Sequence, residues 1–215
     1  MIEESEASWK AVFDKLKKRG LQEVWLVVSD GHKGIQAAVR KSFLGSAWQR
    51  CKVHFMRNLL AHIPHRDKKR FAEELKQIWL QPDQESANRM ASSLVEKYEE
   101  RFPEAIKCLL DGLEDSLQFY HFPAFDKRKI SSTNTLERLN CEIRRRTRVV
   151  GIFPSTESYV RLVTTYVLEN TEEWVAEKCY FALGKILEME LILKEQKQKL
   201  VHCQINYFTF SGCPV

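Results

Sequence analysis

The run Val24-Trp25-Leu26-Val27-Val28 constrains this chain more than any other stretch. Its length and β-branched content read as a buried strand. The other periodicities along the chain are almost wholly helical. A single strand cannot satisfy its own backbone hydrogen bonds, so it must find neighbours, and the rest of the sequence offers few. Just past the run comes Asp30-Gly31. A carboxylate beyond the carboxyl end of a buried strand, beside a glycine that frees the backbone, is a common place for metal and phosphate chemistry in α/β proteins. Ile35, Ala38, Val39 and Phe43 then mark one face of a following helix, so Asp30 is expected at a strand-to-helix junction.

Helical patterning fills the remainder. Residues 6–19 form an amphipathic helix through Trp9, Val12, Phe13 and Leu16, closed by Arg19-Gly20. Residues 51–62 form another, stopped by Pro64. Residues 67–80 turn Phe71, Leu75, Ile78 and Trp79 inward. A third helix starts at Pro82-Asp83 and carries Ala87, Met90, Leu94, Val95 and Tyr98. Pro103 opens a fourth with Ile106, Leu109, Leu110 and Leu113. Together these predict an antiparallel helical bundle. Phe119 to Phe125 reads as an aromatic loop. Ser131-Ser132-Thr133-Asn134 supplies N-cap candidates for a helix running to about Arg148, with Glu137 early in it. Gly151-Ile152-Phe153-Pro154 breaks that helix and Ser155 caps the next. A last helix is expected over 171–196, and an irregular tail over 201–215.

Charge is unevenly spread. The 215-residue chain has a net charge of +5. Residues 50–70 carry seven Lys or Arg against Asp67, and residues 127–148 carry eight against Glu137 and Glu142. Residues 83–115 hold nine acids against four bases. Two basic segments around an acidic one suggest a polyanion-binding face, DNA or RNA. No apolar stretch reaches the length of a bilayer crossing, and Met1 to Glu6 lacks the apolar core of a signal peptide. The expectation is a cytoplasmic protein with no membrane partner. The six scattered cysteines form no CxxC pair and read as free thiols.

Three constellations carry candidate chemistry. Asp30 and Glu137 are carboxylates from different elements, suited to a two-metal phosphoryl-transfer site once folding joins them. The plainer accounts are a helix cap for Asp30 and first-turn charge stabilisation for Glu137, worth roughly 0.3–1 kcal/mol. Cys51-Lys52-Val53-His54 with His62 and His65 has zinc-ligand types, although Pro64 separates the last two. Cys51, His54, Asn58 and His62 share a helical face that can instead pack on a catalytic layer or meet DNA. Glu137-Arg138 with Arg144-Arg145-Arg146 puts guanidinium groups on the helix of a candidate metal ligand, where they can grip phosphates. A charge ladder to Glu142 is expected to engage at most one of the three consecutive arginines.

At these residues the chain resembles the Mutator-type transposases of bacterial insertion sequences. The resemblance rests on Ser29-Asp30-Gly31-His32-Lys33-Gly34, on Gln49-Arg50-Cys51-Lys52-Val53-His54-Phe55-Met56-Arg57-Asn58-Leu59, on Asn134-Thr135-Leu136-Glu137-Arg138-Leu139-Asn140, and on Arg144 through Ser155. These occur in the family's order, over about residues 6–195. The resemblance implies an α/β, mostly helical fold: a partial ribonuclease-H-like core with a large all-α insertion. Residues 1–50 and 126–200 would be core, 51–125 the insertion and 201–215 an irregular tail. It implies metal-dependent DNA strand cleavage and transfer at insertion-sequence ends by a DDE triad with Mg2+ or Mn2+. Asp30 would be the second acid and Glu137 the third, both metal ligands. Arg138, Arg144, Arg145 and Arg146 would contact DNA, with Arg57 and Asn58 as further candidates. Cys51 and His54 match a family signature whose role stays open.

The implied partners are DNA and another transposase copy, as a homo-oligomer or with a full-length relative. The family's first Asp and its N-terminal DNA-binding region would lie upstream of anything present here. Met1 therefore reads as the start of a truncated copy, and the tail as out-of-frame sequence. Such a chain is expected to be inactive or very weak alone. The alternative is a non-catalytic DNA-binding or oligomerising remnant that regulates a full-length transposase. A zinc-stabilised helical regulator is a third reading.

Overall fold

The computed structural model of the chain describes residues 5–176 and 180–210, with backbone alone at 173–176 and 197–210. The order is α1 (Glu6–Lys18), β1 (Leu26–Ser29), α2 (Lys33–Ser42), β2 (Ala47–Arg50), α3 (Lys52–Ala61), α4 (His65–Leu80), α5 (Gln84–Tyr98) and α6 (Pro103–Ser116). A short 3-10 helix (Gln118–His121), α7 (Lys127–Ile130), α8 (Asn134–Val150), α9 (Thr156–Ala176) and α10 (Leu183–Phe210) follow. The fold is mostly helical around a small parallel sheet. Two compact units divide it: the described residues up to His121 with Lys127–Asn140, and Phe122–Asp126 with the described residues from Cys141 on.

In the first unit the expected strand has a neighbour. β1 pairs in parallel with β2, in the register Leu26↔Ala47, Val27↔Trp48, Val28↔Gln49 and Ser29↔Arg50. The stretch 47–50 is short and half polar, so its composition does not announce a strand. Gly45 makes the entry to it at φ +84°, a backbone conformation costly for other residues. α2 crosses between the strands, burying Ile35, Ala38, Val39 and Phe43 against Phe13 of α1 and Trp48 of β2. Phe13 and Phe43 meet with ring centroids 5.0 Å apart. Val12 and Leu16, expected inward on α1, stand largely outside at 44% and 37% exposure.

The bundle forms as its periodicity predicts. Phe71, Leu75, Ile78 and Trp79 of α4 are buried, with Ala87, Ala91, Leu94 and Tyr98 of α5. Asp83 caps α5, its carboxylate accepting the Ser86 N–H at 2.7 Å. On α6 the expected Leu110 is 58% exposed. The buried face instead runs through Ala105, Ile106, Leu109, Gly112 and Ser116. Small residues stand at the close approach, where a search for large apolar side chains overlooks them.

Gln49 fastens sheet to bundle. Its side chain is fully buried. Nε2 donates to the carbonyls of Arg50 (2.7 Å) and Ser116 (2.8 Å), and Oε1 accepts the Phe119 N–H (2.8 Å). Each polar atom of a buried amide is thereby satisfied, as burial requires.

The second unit contains most of α8, then α9 and α10. Gly151, at φ +74°, ends α8 in the left-handed conformation favoured just past a helix. Ser155 Oγ accepts the Ser158 N–H at the start of α9, as expected. The single helix predicted over 171–196 is corrected: α9 runs to Ala176 and α10 begins at Leu183. Phe181, just before α10, lies against Phe125 with 4.5 Å between ring centroids. The irregular tail is corrected too, because α10 continues through 201–210 to Phe210. No glycine or proline interrupts Lys185 to Phe210, so no residue there forces the helix to stop. Residues 211–215 lie outside the described chain. Among the described residues, no helix is long and apolar enough to cross a membrane.

Candidate active site

The parallel register sets the site. Ser29 faces Arg50, so the next residues, Asp30 and Cys51, leave the sheet side by side at its carboxyl end. Neighbouring strands run about 4.8 Å apart. The Cys51 N–H donates to the Ser29 carbonyl at 2.6 Å, extending the ladder to that edge. Trp48 Nε1 donates to Ser29 Oγ at 2.9 Å, and Ser29 Oγ donates to the Asp30 carbonyl at 2.9 Å. Backbone and side-chain bonds thus fix the strand end while the Asp30 side chain is exposed. Capping of α2 falls to His32, whose Nδ1 accepts the Gly34 N–H at 3.2 Å. The Asp30 carboxylate makes no hydrogen bond or ion pair to a described residue, so the capping account of it falls away.

Cys51 is fully buried and begins α3. Its Sγ lies 3.4 Å from both the backbone nitrogen and the hydroxyl of Thr133. Lys52 N–H donates to the Ser131 carbonyl at 3.0 Å. These contacts dock segment 131–133 beside the end of β2, and α8 starts there. The Thr133 carbonyl accepts the Glu137 N–H at 2.9 Å, and Thr133 Oγ1 lies 3.4 Å from Glu137 Oε1. One hydroxyl proton serves one acceptor at a time, so Cys51 and Glu137 share Thr133. Glu137 Oε1 also stands 3.0 Å from His54 Nε2, with 27% of the histidine side chain and 42% of the glutamate exposed. His54 Nδ1 is buried without a partner.

Four of the sequence's candidates therefore gather at one place. Glu137 meets His54 directly and reaches Cys51 through Thr133. Cys51 is Asp30's neighbour across the sheet. Thr133 counted in the sequence only as one of several possible caps, and its bridging role has no signature of its own. The zinc arrangement does not form: Cys51 takes Thr133, His54 takes Glu137, and among the described residues no three His, Cys, Asp or Glu stand together as a cation's ligands. The donor chemistry of Asp30 and Glu137 suits a hard cation. Mg2+ commonly takes one or two carboxylates and completes its shell with water and substrate phosphates.

The arginines divide. Arg57 and Asn58 are exposed on α3, and Arg138 is exposed on α8. In the second unit Glu142 engages two arginines where one was expected. Arg145 donates to it from Nε at 2.8 Å and from Nη2 at 2.6 Å, and Arg146 from Nε at 3.1 Å. The Arg145 and Arg146 hydrogen bonds hold the Glu142 carboxyl down to about 2. Arg146 also lies over the Tyr166 ring, 4.1 Å from its centroid. Arg144 is exposed.

The chain matches the profile described as "Transposase, Mutator family" over residues 1–177. It is 40% identical over 174 residues to the transposase of insertion sequence element IS256 in transposon Tn4001 of Staphylococcus aureus, covering 80% of this chain and 44% of that protein. It is 38% identical over 193 residues to the transposase of ISRM5 of Rhizobium meliloti, covering 90% and 48%. It is 39% identical over 180 residues to the transposase of IS1081 of Mycobacterium tuberculosis, covering 84% and 43%. The chain spans less than half the length of each of these relatives.

Proposed function

The chain belongs to the Mutator family of transposases, and from that premise we propose that it supplies part of a DDE active site for DNA strand cleavage and transfer at insertion-sequence ends. The observation that carries this reading is the convergence on one sheet end: Asp30 beside Cys51, and Glu137 held by His54 and Thr133. In this reading Asp30 is the second acid and Glu137 the third, within a ribonuclease-H-like core that would take in residues 1–50 and 126–200. Residues 51–125 would be a helical insertion. Asp30 and Glu137 would hold Mg2+ or Mn2+, whose chemistry when bound is to neutralise the transferring phosphate and to activate a water or 3′-hydroxyl. Cys51 fixes where α8 begins, and His54 holds the Glu137 carboxylate toward the sheet end. Arg138 and Arg144, with Arg57 and Asn58, would bind the DNA backbone. Arg145 and Arg146, which hold Glu142, would bind it too.

A second reading needs no catalysis. A DNA-binding or oligomerising chain that acts with a full-length transposase would use the exposed Arg57, Asn58 and Arg138 in the same way. One experiment separates the two. Purified chain is incubated with supercoiled DNA carrying insertion-sequence ends, with Mn2+, alongside Asp30→Ala and Glu137→Ala. Metal-dependent nicking lost in both variants supports the catalytic reading. DNA shifted in a gel but never nicked supports the binding reading. No DNA binding at low salt refutes both.

A further inference from the structure

Arg50 is the one charged side chain built into the sheet's carboxyl edge, and the chemistry above does not use it. It ends β2 opposite Ser29. Its guanidinium carbon lies 4.3 Å from the Phe55 ring centroid, stacked on the first turn of α3. A Cβ on Gly31 would stand 3.0 Å from its Nε and 3.0 Å from Nη2. A Cβ on Gly112 would overlap Nη1 and the Phe55 ring. The guanidinium therefore occupies a slot between two glycines, one of them directly after Asp30, with an aromatic floor. Its backbone is fixed by the Gln49 bond to its carbonyl.

The slot leaves the guanidinium's hydrogen-bonding capacity unspent. Nε is buried with no partner, and no hydrogen bond or ion pair to a described residue holds the terminal nitrogens. The Asp115 carboxyl and the Cys108 thiol feel its charge, and Arg40, Glu114 and Asp111 act on the same two groups. The Asp115 carboxyl is pushed up by burial and drawn down by Arg40 and Arg50, yet no ion pair joins it to Arg50. A guanidinium held rigid by stacking, partly buried and short of acceptors is prepared for an anion that offers two oxygens side by side. The acceptor it lacks matches a phosphodiester.

Resting on the transposase reading, we propose that Arg50 binds a backbone phosphate of the DNA strand presented to Asp30, so that Gly31, Gly112 and Phe55 form a built phosphate seat. The seat explains why small residues stand at Gly31 and Gly112: a methyl group at either would crowd or displace the guanidinium.

Binding of a short duplex is measured across a salt series for the wild-type chain, Arg50→Gln and Arg50→Lys, each checked for folding by circular dichroism. Arg50→Gln is expected to bind about tenfold more weakly, with the slope of log affinity against log salt reduced by about one, the mark of one lost phosphate contact. Arg50→Lys keeps the charge and so the slope, but binds severalfold more weakly for want of the planar fork. If Arg50 only screens Asp115 and packs on Phe55, Arg50→Gln changes the melting temperature and leaves affinity and slope alone; that result overturns the proposal and spares the transposase reading. Should Arg50→Gln fail to fold, Arg50→Lys decides, because wild-type affinity in it overturns the phosphate seat. A wild-type chain that binds no DNA overturns both.

Discussion

Helix α8 carries two carboxylates in two different settings. Glu137, in the first unit, lies against one histidine and one threonine beside a buried cysteine. Glu142, in the second unit, is half-buried and wrapped by Arg145 and Arg146. The arginine donors fill Glu142's oxygens, so a cation would have to displace them. Glu137 has neighbours that orient it and leave acceptor capacity. Charge density alone points to the arginine cluster as the busy part of this helix. The packing points to the other end, where a buried thiol and a sheet edge fix the position of a single acid. A site depends on which carboxylate is held without being neutralised.

The sharpest way to break this contrast is to remove each acid in turn. Glu137→Ala is expected to cost about a thousandfold in metal-dependent nicking, since a metal ligand supports several kcal/mol of transition-state stabilisation. Glu142→Ala is expected to leave the nicking rate within about twofold, as an exposed ion pair contributes little. The readout is the initial rate on supercoiled DNA, in the chain or in the full-length transposase carrying the same change. Equal losses at the two positions would end the distinction.

A second prediction concerns what holds the sheet edge in place. Gln49→Leu strands the Ser116 carbonyl and the Phe119 N–H in the interior. Two unmet groups at about 1–3 kcal/mol each lead to an expected loss of about 3 kcal/mol. Urea denaturation followed by circular dichroism gives the number. A loss below about 1 kcal/mol would show that the bundle holds β2 without the amide.

These residues also mark what the sequence reveals. Asp30, Glu137, Cys51 and His54 stand out in the sequence through the family's motifs; the structure joins Glu137 to His54 and sets Cys51 beside Asp30 at the sheet end, and the metal-ligand roles of the two acids are proposed. Helices α4 to α6 were legible because large apolar side chains recur at helical period. Strand β2 was not: Ala47-Trp48-Gln49-Arg50 has no apolar alternation, and its stability comes from β1 and from Gln49's bonds to the bundle. The packing of Thr133 and of Arg50 was not legible for a related reason. Their roles depend on partners more than sixty positions away, Cys51 for one and Gly112 for the other, and no local pattern encodes such a meeting. The arginine ladder was misjudged because i,i+3 and i,i+4 spacing lets one glutamate serve two arginines.

Substitution of His54 probes whether Glu137 needs its holder. His54→Ala removes a neighbour of the carboxylate at 3.0 Å and leaves Cys51 and Thr133 in place. Loss of such a supporting group commonly costs ten- to hundredfold, and about tenfold is expected here. It should appear both in nicking and in the Mn2+ concentration that raises the melting temperature. DNA affinity should stay unchanged, since no phosphate contact is assigned to His54. An unchanged Mn2+ response would mean that Glu137 is placed by α8 alone.

The smallest effect tests the second half of the contrast, and its sign follows from the titration. The Arg145 and Arg146 hydrogen bonds lower the Glu142 carboxyl from its ordinary 4.5 to about 2. A carboxyl depressed in the folded chain contributes stability above its unfolded value. That contribution fades as pH falls from about 4.5 toward 2. Because Glu142 lies at the surface with 31% of its side chain exposed and pairs with two exposed arginines, the change in global stability should be slight and screened by salt, so the residue itself is the better witness. Carbon-detected NMR of the Glu142 side chain should show a midpoint near 2 at low salt. Arg145→Ala with Arg146→Ala should return it toward 4.5, because the hydrogen bonds of these two arginines are the largest influences that depress Glu142. A midpoint near 4.5 in the unaltered chain would release both arginines from Glu142 and leave them free for phosphate.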